Sequence, residues 1–300
     1  MPISIEFKSG VVNIVEAKVK KYNIEVKKVY SFDFPEEWID STGILDMNNL
    51  VLLFEQVLKE QGFKEKQCSI CLNNSSVIYR ELNVPKIEDK KMPLLVRSEM
   101  MDVLNLTPDY IMDFTILEEL TEESTETYRL LAVACPSSAI ESYMLLMKRL
   151  KLKLVSIDSA TNSIIKTVSL IPAISQKEQA IIVDVGSGHL RLYLFEMGLY
   201  VLSRNNRLVS LNESTREEVI ATIEDNVNKM IQFSYTRGAK VGIKNIVLIG
   251  RDEILPDLQQ RISDDLAVPC EIMQCPSFVY WNQQFESKYV NAIGTLVRLA

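Results

Sequence analysis

Two stretches of this sequence place a carboxylate near the end of an apolar run, just ahead of a Ser-Gly turn. Ile3-Ser4-Ile5-Glu6-Phe7-Lys8-Ser9-Gly10 aligns residue for residue with Ile181-Ile182-Val183-Asp184-Val185-Gly186-Ser187-Gly188, and a second apolar run follows each. Turns of this kind aim backbone N–H groups at a phosphate, and an acid beside them can hold a divalent metal through water. The candidate phosphate-cradling residues are therefore Ser9, Gly10, Gly186, Ser187 and Gly188, with Glu6 and Asp184 as the candidate metal pair. A duplicated strand–acid–turn–strand unit predicts two lobes whose turns face each other across a cleft.

Other reactive side chains form no comparable set. His189 is the single histidine, and no Ser–His–Asp or Cys–His arrangement surrounds it, so no catalytic residue is assigned. Cys68 and Cys71 have a metal-like spacing but fall in an expected strand, where residues three apart point to opposite faces. With Cys270 and Cys275 they read as buried small hydrophobes. Met100, Met101, Met144 and Met147 read as core filling, and Tyr280 and Trp281 as lobe-packing aromatics. Lys18, Lys20, Lys21, Lys27 and Lys28 form a local basic cluster, read either as a solvated strand face or as a contact with an acidic membrane leaflet or neighbouring subunit.

The elements that must position these residues alternate throughout. Strands are expected at 3–7, 11–17, 22–32, 67–72, 77–84, 111–117, 129–134, 155–157, 180–185, 190–195 and 246–249. Helices are expected at 49–61, within 85–107, from a capping box at Ser138–Glu141 to about 150, and from about 160. Further helices are expected from a second capping box at 214–217 to Gly238, at 255–262 and at 290–299. A polar hairpin tip is expected at 118–126. The fold class is α/β with mixed sheets.

The chain has 300 residues, 47% of them hydrophobic and 24% charged, with ten Gly and ten Pro, which excludes disordered, collagen-like and linker-rich classes. A net charge of −7 argues against a whole-chain nucleic-acid footprint. No uncharged apolar run approaches the roughly 18 residues of a membrane span. Met1-Pro2-Ile3-Ser4 lacks signal-peptide features, and five cysteines give no disulfide framework, so a cytoplasmic protein is expected.

Over essentially its whole length the sequence resembles the actin/Hsp70-type ATPase superfamily, and within it the type IV pilus assembly PilM family, relatives of FtsA. Residues 183–188 are similar to that superfamily's second phosphate loop, and residues 246–258, with Gly250, to its adenosine motif. Leu95-Val96-Arg97-Ser98-Glu99 with Asp113-Phe114 is similar to the opening of the inserted subdomain 1C of PilM proteins. Leu131–Cys135 and Val155–Asp158 are similar to its closure. The closing residues 293–300 are too short and too poor in basic residues for the membrane tether of FtsA-like proteins, so the PilM family is the better match.

The resemblance implies a two-lobed actin-like fold, ribonuclease H-like and duplicated. A first lobe (1A) would cover 1–170 with a 1C-type insert at about 85–153, and a second lobe (2A/2B) 171–300, with 2B at about 206–242. It also implies a first phosphate loop of the form Asp-Ile-Gly-Ser followed by Lys, where this chain has Glu6, Phe7, Lys8, Ser9 and Asn13. Lys8 crowds a turn that needs close backbone approach, and Arg251 and Asp252 replace small residues in the adenosine motif. Ala160 stands where a Glu often sits. A pseudo-ATPase with no bound cofactor is therefore expected, with Lys8 reaching Asp184 across the cleft as one outcome; the alternative is a working ATPase using ATP and Mg²⁺. The implied partner is the N-terminal cytoplasmic tail of a PilN-like membrane protein, bound between 1A and 1C near residues 77–85. Contact with PilO would be indirect; pilus motor components and other copies of the chain are further expected partners. Membrane association would come through the PilN-like partner.

Overall fold

The computed structural model describes residues 1–122, 125–177, 179–208, 215–236 and 242–297. The expected helix positions Ser214, Gly238 and Leu299, and part of the expected hairpin tip, lie outside the described residues.

The first half runs β1 (Ile3–Phe7), β2 (Val11–Lys20), β3 (Asn23–Asp33), β4 (Ile39–Asp40), β5 (Gly43–Ile44), α1 (Met47–Glu60) and β6 (Gln67–Leu72). It continues through β7 (Ile78–Pro85), α2 (Met92–Leu104), β8 (Tyr110–Glu122), β9 (Thr125–Pro136), α3 (Ser137–Arg149), β10 (Lys153–Ser159), α4 (Ala160–Ser169) and α5 (Pro172–Ser175). The second half holds β11 (Gln179–Val185), β12 (His189–Glu196), β13 (Leu199–Arg207), α6 (Arg216–Thr236) and β14 (Asn245–Gly250). It ends with α7 (Leu255–Leu266), β15 (Cys270–Ile272), β16 (Val279–Trp281) and α8 (Val290–Leu296).

Local sequence explains most of these elements. The apolar stripe Leu50, Val51, Phe54 and Val57 is buried, and the Asp46 carboxylate accepts the Asn49 amide to cap α1. Every residue of β11 is buried, as its continuous apolar run demands. The second capping box is real but sits one residue later than its expected place: the Glu218 amide donates to Thr215 Oγ1, and the Thr215 amide to Glu218 Oε2. The first is not a cap. β9 runs straight into α3 at Pro136, so Ser138 lies inside the first turn and donates to the Thr42 carbonyl.

The duplication is visible in the sheets. The six-stranded sheet has the order β10-β6-β1-β2-β3-β16 and the five-stranded sheet β13-β12-β11-β14-β15. In each, the acid-bearing strand pairs antiparallel with its hairpin partner and parallel with the strand on its other side. Helices α4 and α8 pack together between the sheets, where Ser163 Oγ and Thr295 Oγ1 lie 2.8 Å apart. A Cβ on Gly294 would stand 2.5 Å from the Ser163 carbonyl oxygen, so the helices cross at a position that only glycine allows.

Two expected boundaries shift. The separate three-stranded sheet, β7-β9-β8, together with α2, spans Ile78 to Pro136; α3 and β10 belong to the first sheet and its core. The second half does not stay with the second sheet. β16 pairs parallel with β3, and α8 packs on the first sheet through Ala292, Ile293 and Leu296.

Candidate functional site

The two hairpins are equivalent down to single hydrogen bonds. The Lys8 amide donates to the Val11 carbonyl at 2.9 Å, and the Gly186 amide to the His189 carbonyl at 2.8 Å. The Asn73 amide donates to the Phe7 carbonyl, and the Arg251 amide to the Val185 carbonyl. Glu6 answers to Asp184, Leu72 to Gly250 and Asn73 to Arg251 at one unchanging offset.

Where the turns meet, the acids are held by side chains of this chain. Lys8 Nζ stands 3.4 Å from Asp184 Oδ1 and 3.6 Å from Glu6 Oε1. Asn291 Nδ2 donates to Glu6 Oε1 at 2.9 Å and to Asp184 Oδ2 at 2.8 Å. Asn73 Nδ2 donates to Glu6 Oε1 at 2.9 Å, and Asn13 Nδ2 to Glu6 Oε2 at 2.9 Å. Arg191 lies opposite Asp184 in the β11–β12 ladder and over the Tyr79 ring of β7. Glu6, Asp184, Lys8 and Arg191 are all buried, so two acids and two bases of formal charge gather where the hairpins meet.

Burial alone would raise the Asp184 carboxyl, yet Lys8, the neighbouring His189 and the Asn291 amide hold it below the usual value. Burial also opposes the Lys8 ammonium, but Asp184 and then Glu6 outweigh it and hold the amine above its ordinary value. Burial, with Lys8 and Arg191 adding to it, pushes His189 down to about 4 despite the attraction of Asp184, so the ring is neutral near pH 7.

The expected site residues divide into two groups. Ser9, Gly10 and Gly188 line an open cleft of about 1020 Å³, together with Lys8, His189 and residues 73–75 and 205–208. Gly186 lies under the His189 ring, where a Cβ would meet Cε1 at 2.1 Å, and Ser187 is not among the lining residues. Gly250 has another reason to be glycine: its φ is +116°, and a Cβ would lie 2.1 Å from the Val185 carbonyl oxygen. Arg251 turns aside to pair with Glu253.

A hydrated Mg²⁺ would need the carboxylate oxygens of Glu6 and Asp184. The Lys8 ammonium and the amides of Asn73 and Asn291 already engage those oxygens, so the donor set present does not fit that ion. Among the described residues no three His, Cys, Asp or Glu form a metal-ligand group.

Sequence reasoning missed Asn73, Asn291 and Arg191. Extending the repeat alignment to Asn73 and Arg251 was the available signal for the first. Arg191 answers to Asn13 in the same alignment. Nothing local marks Asn291.

A second, apolar cavity of about 200 Å³ lies between the first sheet and the three-stranded sheet. Leu72, Ile140 and Ile157 line one side, and Ile111, Phe114 and Leu131 the other. It sits on β8 and β9 rather than along β7 or at Pro85, where the partner groove was expected; only Val77 of that stretch reaches it. Both β8 and β10 are edge strands. Arg97 fastens the start of β8 by donating to the carbonyls of Pro108 and Tyr110 at 2.7 and 3.0 Å.

The family model described as type IV pilus assembly protein PilM matches residues 4–215. Among solved structures, a PilM–PilN type IV pilus biogenesis complex superposes with a TM-score of 0.83 at 16% identity, covering 98% of this chain and 97% of that one. A Bacteroides thetaiotaomicron protein with an actin-like ATPase fold and unknown function gives 0.53 at 12% identity, covering 91% and 90%. The cytoplasmic domain of EpsL, an inner-membrane component of the Vibrio cholerae type II secretion system, gives 0.52 at 8% identity, covering 98% and 92%. None of the curated proteins matches the sequence. No helix among the described residues is long and apolar enough to cross a membrane.

Proposed function

The chain belongs to the PilM family of type IV pilus assembly proteins, and from that premise we propose that it is an adaptor for the cytoplasmic tail of a PilN-like membrane protein. The tail lies in the apolar cavity between the first and three-stranded sheets. The observation that carries this reading is the position of that cavity between two sheet edges, β8 and β10, with Ile111 47% exposed at its rim. An extended peptide offers its backbone to such an edge and its apolar side chains to such a cavity. The solved PilM–PilN relative supports a partner of this kind.

Fluorescence anisotropy with a labelled tail peptide tests it. Micromolar binding without nucleotide is expected, and Ile111→Arg should weaken it at least about tenfold. Unchanged affinity in that variant would move the site elsewhere.

The nucleotide cleft in this reading is degenerate. Lys8 takes the electrostatic role of Mg-nucleotide, so lobe closure does not depend on ATP. Feeble Mg-ATP affinity is expected by calorimetry, strengthened by Lys8→Gly with Arg251→Gly. A working ATPase whose lobe closure gates the tail is the second reading, favoured by the size of the cleft. A low-micromolar dissociation constant for Mg-ATP in the unaltered protein would decide for it.

A further inference from the structure

We propose that the end of the first sheet farthest from the cleft is a docking face for an anionic lipid surface. The sheet's register builds this face. β1, β6 and β10 run parallel, so they begin at one end, and the β2–β3 turn closes there too. Ile3 pairs with Cys68 and Glu16, Lys153 pairs with Gln67, and the Lys153 amide donates to the Lys66 carbonyl at 2.6 Å. Lys66 and Lys18 therefore lie level with Met1, Lys153 lies one residue further in beside Gln67, and Lys20 and Lys21 stand at the hairpin tip beyond them. Lys151 joins them from the turn leaving α3. All six lysines are exposed.

This is segregation of charge, because the chain as a whole carries −7. Acidic groups at this end are few and partly engaged: Glu65 lies 3.4 Å from the N-terminal amine, and Glu25, opposite Lys18, pairs with Lys27. Across β10-β6-β1-β2-β3 this end of the sheet is about 20 Å wide.

Exposed apolar side chains stand at both margins. At the hairpin tip Tyr22 is 41% exposed between Lys21 and Asn23, and Lys21 has φ +53°. At the β10 margin Met144 and Leu145 are 52% and 48% exposed over a shallow hollow shared with Leu152 and Leu154. Ammonium groups that meet lipid phosphates, beside aromatic and thioether bodies that enter the headgroup layer, are the pattern of a peripheral membrane contact. Lysines on flexible stems spread over the end of a sheet fit a fluid charged surface better than a shaped protein ligand. The cleft and its acids lie at the opposite end of β1, so docking leaves them clear. This contact is independent of the tail-binding reading and would act beside it.

The test is co-sedimentation of the full chain with phosphatidylcholine vesicles with and without about 30% phosphatidylglycerol, at about 0.1 M salt. Binding to the anionic vesicles alone is expected. Lys20→Glu with Lys21→Glu should lower it roughly tenfold or more, and Met144→Ser with Leu145→Ser several-fold. Lys90→Glu with Lys91→Glu, the same charge change on the exposed turn before α2, should leave it unaltered. Absence of binding to anionic vesicles overturns the proposal, as does an equal loss in the Lys90/Lys91 variant. Equally tight binding of heparin with no loss in the Met144/Leu145 variant would assign the face to a soluble polyanion instead. Tail-peptide anisotropy on the same variants should not change, so failure here leaves the groove reading standing.

Discussion

The first and second hairpins share their backbone and differ in their charges. In the first, Glu6 faces Asn13 across the ladder and Lys8 fills the turn; in the second, Asp184 faces Arg191 and the turn opens on Gly186. Each hairpin brings one carboxylate and one base, Lys8 from the turn of the first and Arg191 from the ladder of the second. Lys8 of one hairpin lies against Asp184 of the other, and Asn291 donates to both acids. A duplicated scaffold has become two complementary halves, joined by an ion pair and by hydrogen bonds from one shared amide.

The largest expected effect comes from removing the cation of the first hairpin. Lys8→Met leaves Asp184 and Glu6 buried with Arg191 as the remaining base, and should cost about 3–5 kcal/mol in urea unfolding. Lys8→Met with Asp184→Asn restores the balance of formal charge and should recover most of that loss. Recovery of less than about a quarter would show that Lys8 acts through packing rather than through the pair.

The second hairpin has its own signature in acid. Its His189 holds out against protonation down to about 4, whereas the unfolded ring takes a proton near 6.5. Stability from this group is therefore full above about pH 6.5 and falls as pH drops towards 4, by at most about 3 kcal/mol. His189→Gln should flatten the unfolding free energy across that window, and a profile unchanged by the substitution would place the proton elsewhere. Next comes the shared donor: Asn291→Ala should cost about 1–3 kcal/mol, since it strips one hydrogen bond from each acid. Asn205→Ala, at the cleft mouth, should stay within about 0.5 kcal/mol.

Much of this architecture is legible in the residues. The paired strand–acid–turn units mark the hairpins, because an apolar run broken by a polar turn has few other solutions, and Lys8 stands out where a small residue is expected. The parts that escape are those set by distant contacts. β13 ends in Ser203-Arg204-Asn205-Asn206-Arg207, a polar run that pairs only because β12 lies beside it. β15 and β16 are three residues each, too short to show a period. Ser138–Glu141 has the letters of a capping box, but the preceding strand leaves no room for a cap. Asn73 and Asn291 are ordinary loop and helix residues by type, and their meaning lies in carboxylates far away in the chain.

The return of β16 and α8 to the first sheet has a consequence for the order in which the protein is made. During synthesis residues 1–170 emerge with β3 still a bare edge, and with Ile24 and Val26 lacking the cover that Phe278, Val279 and α8 later supply. The first-made lobe is thus completed by segments that are synthesised only after every strand of the second sheet. A nascent chain paused between the two would present an open strand edge, the kind of surface that chaperones hold and aggregates recruit. Severing the chain at the lobe boundary would leave the first fragment in that unfinished state permanently, so the two similar sheets form one cooperative unit in time as well as in space.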